Sequence, residues 1–202
     1  MPSRRKYTRL RGYNYAACGA YFLTINTHDR SHLFGIVVGD TRGARVDLSA
    51  QGWIVQECWD AIPDHFPNVH LDTFQIMPDH VHAIVVILGD DDPQDATMDG
   101  RLSYMAPRSV ADNGAGRGGA STLRGARRPN GVETRSIGAI VGSFKSAVTK
   151  RINMLRGTPG APVWQRNYHD RIIRNAAEHE RIAAYIRDNP INWLNRPRTS
   201  AR

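Results

Sequence analysis

The stretch "VHLDTFQIMPDHVHAIVVIL", residues 69–88, joins two apolar, β-branched runs across Pro78 and Asp79. Runs of this kind read as strands, and the Pro-Asp step between them reads as a turn. The second run is apolar enough for a sheet interior, yet it carries His80 and His82. Residues i and i+2 of a strand leave the same face, so both imidazoles point one way and Val81 the other. Two imidazoles on one strand face suit a metal ion, because neutral imidazole is a common ligand. They also suit two half-buried polar residues at a strand end, and the pair alone does not choose.

The rest of the chain supplies partners for that hairpin. "AYFLTINTH" (20–28) reads as a strand. "LFGIVV" (33–38) and "ARVDL" (44–48) flank the turn signal "GDTRG". A helix is expected across "DLSAQGWIVQECWDAIPDHF", with Ser49 as N-cap, an apolar stripe of Ile54, Val55, Cys58, Trp59 and Ile62, and Pro63 as its stop. "SIGAIVGSFKSAVTKRINML" (136–155) repeats the helical pattern through Ile137, Ile140, Val141, Phe144, Val148 and Ile152. After the break "RGTPGAP", residues 163–175 read as a short helix and 176–190 as a longer one ended by Asn189-Pro190. Strands come first and helices later, with β-α-β connections. The expected fold is therefore α+β, an antiparallel sheet with helices on one face, of ferredoxin-like type.

Two segments stand outside this pattern. Residues 1–15 form a basic arm dotted with tyrosine. Residues 89–135 begin acidic and become rich in Gly and Arg, without apolar periodicity. The whole is expected to be one domain, 1–202, with the arm at its start and 89–135 as a flexible insertion.

Composition narrows the partners. Lys and Arg number 27 against 19 Asp and Glu, a formal net charge of +8. That balance attracts polyanions, nucleic acid first. Nearly all of the positive charge is Arg, whose planar fork suits phosphates and base edges. Cys18 and Cys58 are too few for a disulfide scaffold or a Cys-rich zinc site. Neither a signal peptide nor a membrane-length apolar run is present, so a cytoplasmic protein without membrane partners is expected.

A second constellation lies in "WQRNYHDRIIRN", where Arg166, Arg171 and Arg174 surround Tyr168, His169 and Asp170. A phenol titrates near pH 10 and is a poor nucleophile unaided. Nearby cations and a metal-polarised phosphate would make it competent. The same tyrosine would also serve to pack an element onto the sheet.

Taken together, "MPDHVHAIVVI", "SFKSAVTKRIN", "VWQRNYHDRIIRN" and "YIRDNP", in this order, resemble the single-tyrosine HUH transposases, most closely the REP-associated tyrosine transposases. "AYFLTINTHDRSHLF" resembles the family's first strand and turn. The resemblance spans about residues 7–88 and 136–195. It implies an HUH-nuclease fold and an enzyme that cuts and rejoins single-stranded hairpin DNA through a 5′-phosphotyrosine, as monomer or homodimer. It implies His80 and His82 as ligands of one Mg2+ or Mn2+ and Tyr168 as nucleophile. Relatives add a polar ligand from the tyrosine helix, one turn past the nucleophile. Here those positions are Arg171 and Ile172, neither a normal ligand, which leaves His169, Asp170 and Asn175 as candidates. The DNA-binding candidates are Arg4, Arg5, Lys6, Arg9 and Arg11 in the arm, Lys145, Lys150 and Arg151, and Arg166, Arg171 and Arg174. A domesticated relative that grips hairpin DNA without cutting it is the alternative.

Overall fold

Strand β1 (Gly19–Asn26) is flanked on both sides, and the rest of the sheet grows from it. The computed structural model describes residues 17–40, 42–88 and 136–195. The basic arm and the segment 89–135 lie outside these described residues. After β1 come the hairpin β2 (Gly35–Asp40) and β3 (Gly43–Leu48), helix α1 (Ala50–Asp60) and a short turn of helix α2 (Ile62–His65). Then follow β4 (Val69–Met77), β5 (His80–Ile87), α3 (Ile137–Arg156), β6 (His169–Ile173), α4 (Ala176–Arg187) and α5 (Asn189–Leu194). The main sheet runs β4-β5-β1-β6, with every neighbour antiparallel. With the β2–β3 hairpin set aside, this is the β-α-β-β-α-β order of a ferredoxin-like sheet.

Local chemistry explains most of the boundaries. Ser49 caps α1 by accepting from Gly52 N, and Ser136 caps α3 by accepting from Ala139 N. Gly157, at φ 65°, ends α3 in the left-handed conformation that glycine takes cheaply. Pro63 sits in the first turn of α2 instead of ending α1, and Pro190 likewise opens α5; the missing N–H costs nothing at either place.

Alternation along β5 divides the interior. Val81, Ala83, Val85 and Ile87 join Leu23 and Ile25, under Val55 and Trp59 of α1 and Phe144, Val148 and Ile152 of α3. Ile84 and Val86 join Ala20 and Ile173, under Ile182, Ala183 and Ile186 of α4. The two crossover helices thus share one face as expected, while α4 covers the other, so helices are not confined to one face.

A second correction concerns residues 163–175, which are extended and not helical. Trp164 bridges to Thr27, and His169–Ile173 pairs with β1. The adjacent β-branched Ile172 and Ile173 suit a strand, and pairing satisfies the backbone along that edge of β1.

A bulge in β4 ties the outer helix to the sheet. Leu71 faces Val85 and Phe74 faces Ala83, so Asp72 and Thr73 together oppose one residue of β5. Asp72 Oδ2 accepts from His179 Nε2 of α4 at 2.6 Å. Burial pushes the Asp72 carboxyl up, but the hydrogen bonds from His179 and Thr73, with the His179 charge, outweigh it and hold it below the usual value of 3.8. A depressed carboxylate stabilises the fold above its unfolded pKa and loses that effect as pH falls through the folded one. Asp72→Ala should therefore cost about 1–2 kcal/mol at neutral pH. In thermal melts across pH, the gap from the unaltered protein should close below pH 3.8.

Candidate metal and nucleophile site

Across the sheet, antiparallel partners put their side chains on the same side. Gln75, His82, Thr24 and His169 therefore form a row on the α4 face, and Met77, His80 and Asn26 form the next. His80 and His82 are 2% and 5% exposed. Their Nε2 atoms stand 3.1 Å apart.

Each imidazole is held from behind. Asp79 Oδ1 accepts from His80 Nδ1 at 2.5 Å, and Asp79 Oδ2 pairs with Arg30 Nε at 2.9 Å. Burial pushes the Asp79 carboxyl up, yet His80, Arg30 and His32 together hold it below the usual carboxylate range. An ionised Asp79 leaves His80 Nδ1 as the donor, so the neutral ring carries its lone pair on Nε2. Thr24 Oγ1 lies 2.9 Å from His82 Nδ1. A hydroxyl both donates and accepts, so Thr24 serves either tautomer of His82. With Nε2–H, His82 donates to His80; with Nδ1–H, both Nε2 lone pairs face each other.

That second arrangement fits a metal ion. Metal–nitrogen bonds of about 2.1 Å place two ligands about 3.0–3.4 Å apart, from octahedral to tetrahedral angles. The observed 3.1 Å lies in this range. Among the described residues no three His, Cys, Asp or Glu side chains are grouped to hold an ion. Two of the expected third ligands, His169 and Asp170, therefore form no such group with the pair. His169 shares their face but sits two strands from β5, Asp170 pairs with Leu23 on the opposite face, and Asn175 accepts from Glu178 N as the cap of α4.

Tyr168 is placed on the face under α1 and α3. It precedes β6 in an extended segment and packs against the cluster that contains Val81. The tyrosine against the pair is Tyr185 of α4, with ring centroids 5.4 Å from His82 and 6.3 Å from Phe22. One turn later in sequence comes Asn189, 1% exposed, whose side-chain oxygen and nitrogen have no hydrogen-bond partner among the described residues. Another turn on, Trp193 lies 6.1 Å from His80. Asp188 joins α4 to α5 with helical backbone, so Tyr185, Asn189 and Trp193 are spaced i, i+4, and the first and last of them lie against the histidines. Both Tyr185 and Asn189 lie in the quoted motif "YIRDNP".

The expected DNA contacts divide. Arg4, Arg5, Lys6, Arg9 and Arg11 lie outside the described residues. Arg171 pairs with the buried Glu178 at 2.5 Å, and Arg151 pairs with Glu57. Lys145 Nζ donates to the carbonyls of Gln165 and Arg166, and burial pulls its pKa below the usual value. Lys150, Arg166 and Arg174 are exposed.

No family model matches the sequence. Over 189 residues the chain is 32% identical to an uncharacterized protein of Haemophilus influenzae, covering 94% of this chain and 89% of that protein. This chain belongs to that protein's family. Among solved structures, a REP-associated tyrosine transposase bound to a REP hairpin has 18% identity and a TM-score of 0.48, over 96% of this chain and 74% of its own. A candidate transposase of Deinococcus radiodurans has 16% identity and a TM-score of 0.38, over 89% and 95% of the two chains. No described helix is long and apolar enough to cross a membrane.

Partners that fix a ligating histidine from behind are worth about ten- to a hundredfold in metal affinity. Asp79→Ala should therefore weaken Mn2+ binding by about that factor, measured by titration calorimetry with folding checked by circular dichroism. Unchanged affinity would remove Asp79 from the site.

Proposed function

We propose that this protein is a metal-dependent single-stranded DNA transposase or nuclease whose nucleophile is Tyr185. The observation that carries the reading is the convergence of His80 Nε2 and His82 Nε2 at 3.1 Å directly beside the Tyr185 ring. The motif order that resembles the single-tyrosine HUH transposases supports it, as does the formal charge of +8, which suits a polyanionic substrate. The resemblance supplies hairpin DNA as substrate and Mg2+ or Mn2+ as ion.

The ion, when bound, would draw charge from the non-bridging oxygens of the scissile phosphate. His80, His82 and the Asn189 side-chain oxygen are the groups that would hold it. Asp79 and Thr24 keep the imidazoles aimed, and Phe22 packs behind His82 at 5.4 Å. Tyr185 is 45% exposed, which leaves it open to a DNA strand. Attack forms the Tyr185 oxygen–phosphorus bond and breaks the bond from phosphorus to the 3′ oxygen. The phenol proton is given up and the departing 3′ oxygen takes one up. The strand end then carries a 5′-phosphotyrosine, and a 3′-hydroxyl from another strand reverses the exchange. No external energy source is needed, because one phosphate ester replaces another.

Tyrosine substitutions test the assignment against the sequence expectation. Tyr185→Phe should abolish the covalent adduct with labelled hairpin DNA in Mn2+ while retaining binding, and Tyr168→Phe should keep the adduct. The opposite pattern would return the nucleophile to Tyr168. Shifted but uncut DNA with the unaltered protein would identify a hairpin-binding protein instead.

A further inference from the structure

Helices α1 and α3 turn an apolar patch to solvent that neither core uses. The two helices run antiparallel: Glu57 and Cys58 lie against Arg151, and Trp59 lies against Phe144 with ring centroids 5.8 Å apart. One turn back along α1 from Glu57 comes Trp53, and one turn on along α3 from Arg151 comes Leu155. That pairing sets Trp53 and Leu155 side by side at one end of the helix layer, with Met154 next to them. They are 57%, 53% and 73% exposed. Three large apolar side chains left together in water mark a contact surface, and Trp and Met are enriched where proteins bury one another.

The charge around this patch is mostly of one sign. Arg151 is matched by Glu57. Lys150 and Arg156 are exposed and have no carboxylate partner among the described residues. Asp60, two turns along α1 from Trp53, accepts from Gln56 at the far end of the stripe. The cations next to the apolar trio therefore call for carboxylates from outside.

We infer that this end of the α1–α3 layer docks an acidic amphipathic helix of a partner protein. Its apolar side covers Trp53, Leu155 and Met154, and its carboxylates reach Lys150 and Arg156. A second copy of the chain fits worse. A two-fold contact would bring these cations against their own copies, on a protein of formal charge +8. Nucleic acid would satisfy the cations, but bases stack on aromatic faces, and two of the three apolar side chains have none. The histidine pair lies on the other face of the sheet, under α4, so a docked partner leaves it uncovered.

The probe is a fluorescein-labelled synthetic helix of about 18 residues, or five turns, with leucines on one face and glutamates on the other. Its control has the same composition with the leucines scattered around the helix. Anisotropy titrations of the full chain should show tighter binding of the amphipathic peptide than of the control. Trp53→Ser with Leu155→Ser should weaken the amphipathic peptide about tenfold and leave the control unchanged. Lys150→Glu with Arg156→Glu should weaken both peptides and flatten their salt dependence. Should a double variant melt early, Leu155→Ser alone should weaken the amphipathic peptide about threefold. Equal binding of the two peptides, or no effect of the serine changes, would overturn the inference. Dimers in sedimentation that Trp53→Ser dissolves would give the patch to a second copy instead. A labelled DNA single strand that loses affinity with the serine changes, while the peptide fails to bind, would give it to nucleic acid.

Discussion

The polar centre of this protein depends on the register between β1 and β5. Asn26 opposite His80 and Thr24 opposite His82 put two imidazoles, a hydroxyl and an amide on one patch of sheet. A slip of one residue would turn both histidines into the α1–α3 core and bring Val81 and Ala83 to the other side. The register is pinned where the two strands meet the Pro78-Asp79 turn: Thr27 donates to the Asp79 carbonyl and Arg30 holds the Asp79 carboxylate. The contacts that align the sheet are therefore the ones that aim the imidazoles. Buried polar groups are costly unless partnered, and all four ring nitrogens of the pair have a neighbour in hydrogen-bond range.

Helix α4 does two jobs. Its apolar stripe closes the second core, and with its continuation into α5 it brings Tyr185 and Trp193 against the histidines. Its start is fixed by a reciprocal cap, in which Asn175 accepts from Glu178 N and Glu178 accepts from Arg174 N. The Asp72–His179 contact holds the same helix from the bulge in β4. Loosening either anchor would shift the phenol relative to the imidazoles, although neither anchor touches them.

What was legible in the sequence follows a physical division. The strands of the first half, the hairpin at "GDTRG" and helices α1 and α3 are set by alternation, periodicity and Ser caps, all local signals. The histidine pair was legible for the same reason, since parity along one strand fixes its facing. Residues 163–175 were not, because a short segment mixing arginines with two isoleucines has no clear period, and the open side of β1 decided its state. The facing of Tyr168 was open with it. Tyr168 sits among arginines, a suggestive setting, but its facing depends on the pairing of β6 with β1, which puts Asp170 and Ile172 on the far side from Thr24. Tyr185 lay in a motif already noticed, yet its approach to His82 comes from packing between elements a hundred residues apart in sequence.

The short turn after β1 sets a limit on how stable this fold can become. Asp29 and Arg30 have φ of 52° and 55°, left-handed backbone that costs residues other than glycine about 1–2 kcal/mol each. Glycine at position 30 would relax the backbone and would also remove the guanidinium that neutralises Asp79. The chain thus keeps a strained arginine where an unstrained glycine would stand more easily. Selection for heat resistance alone would favour relaxing this turn, and with it would go the charge that holds Asp79 against His80.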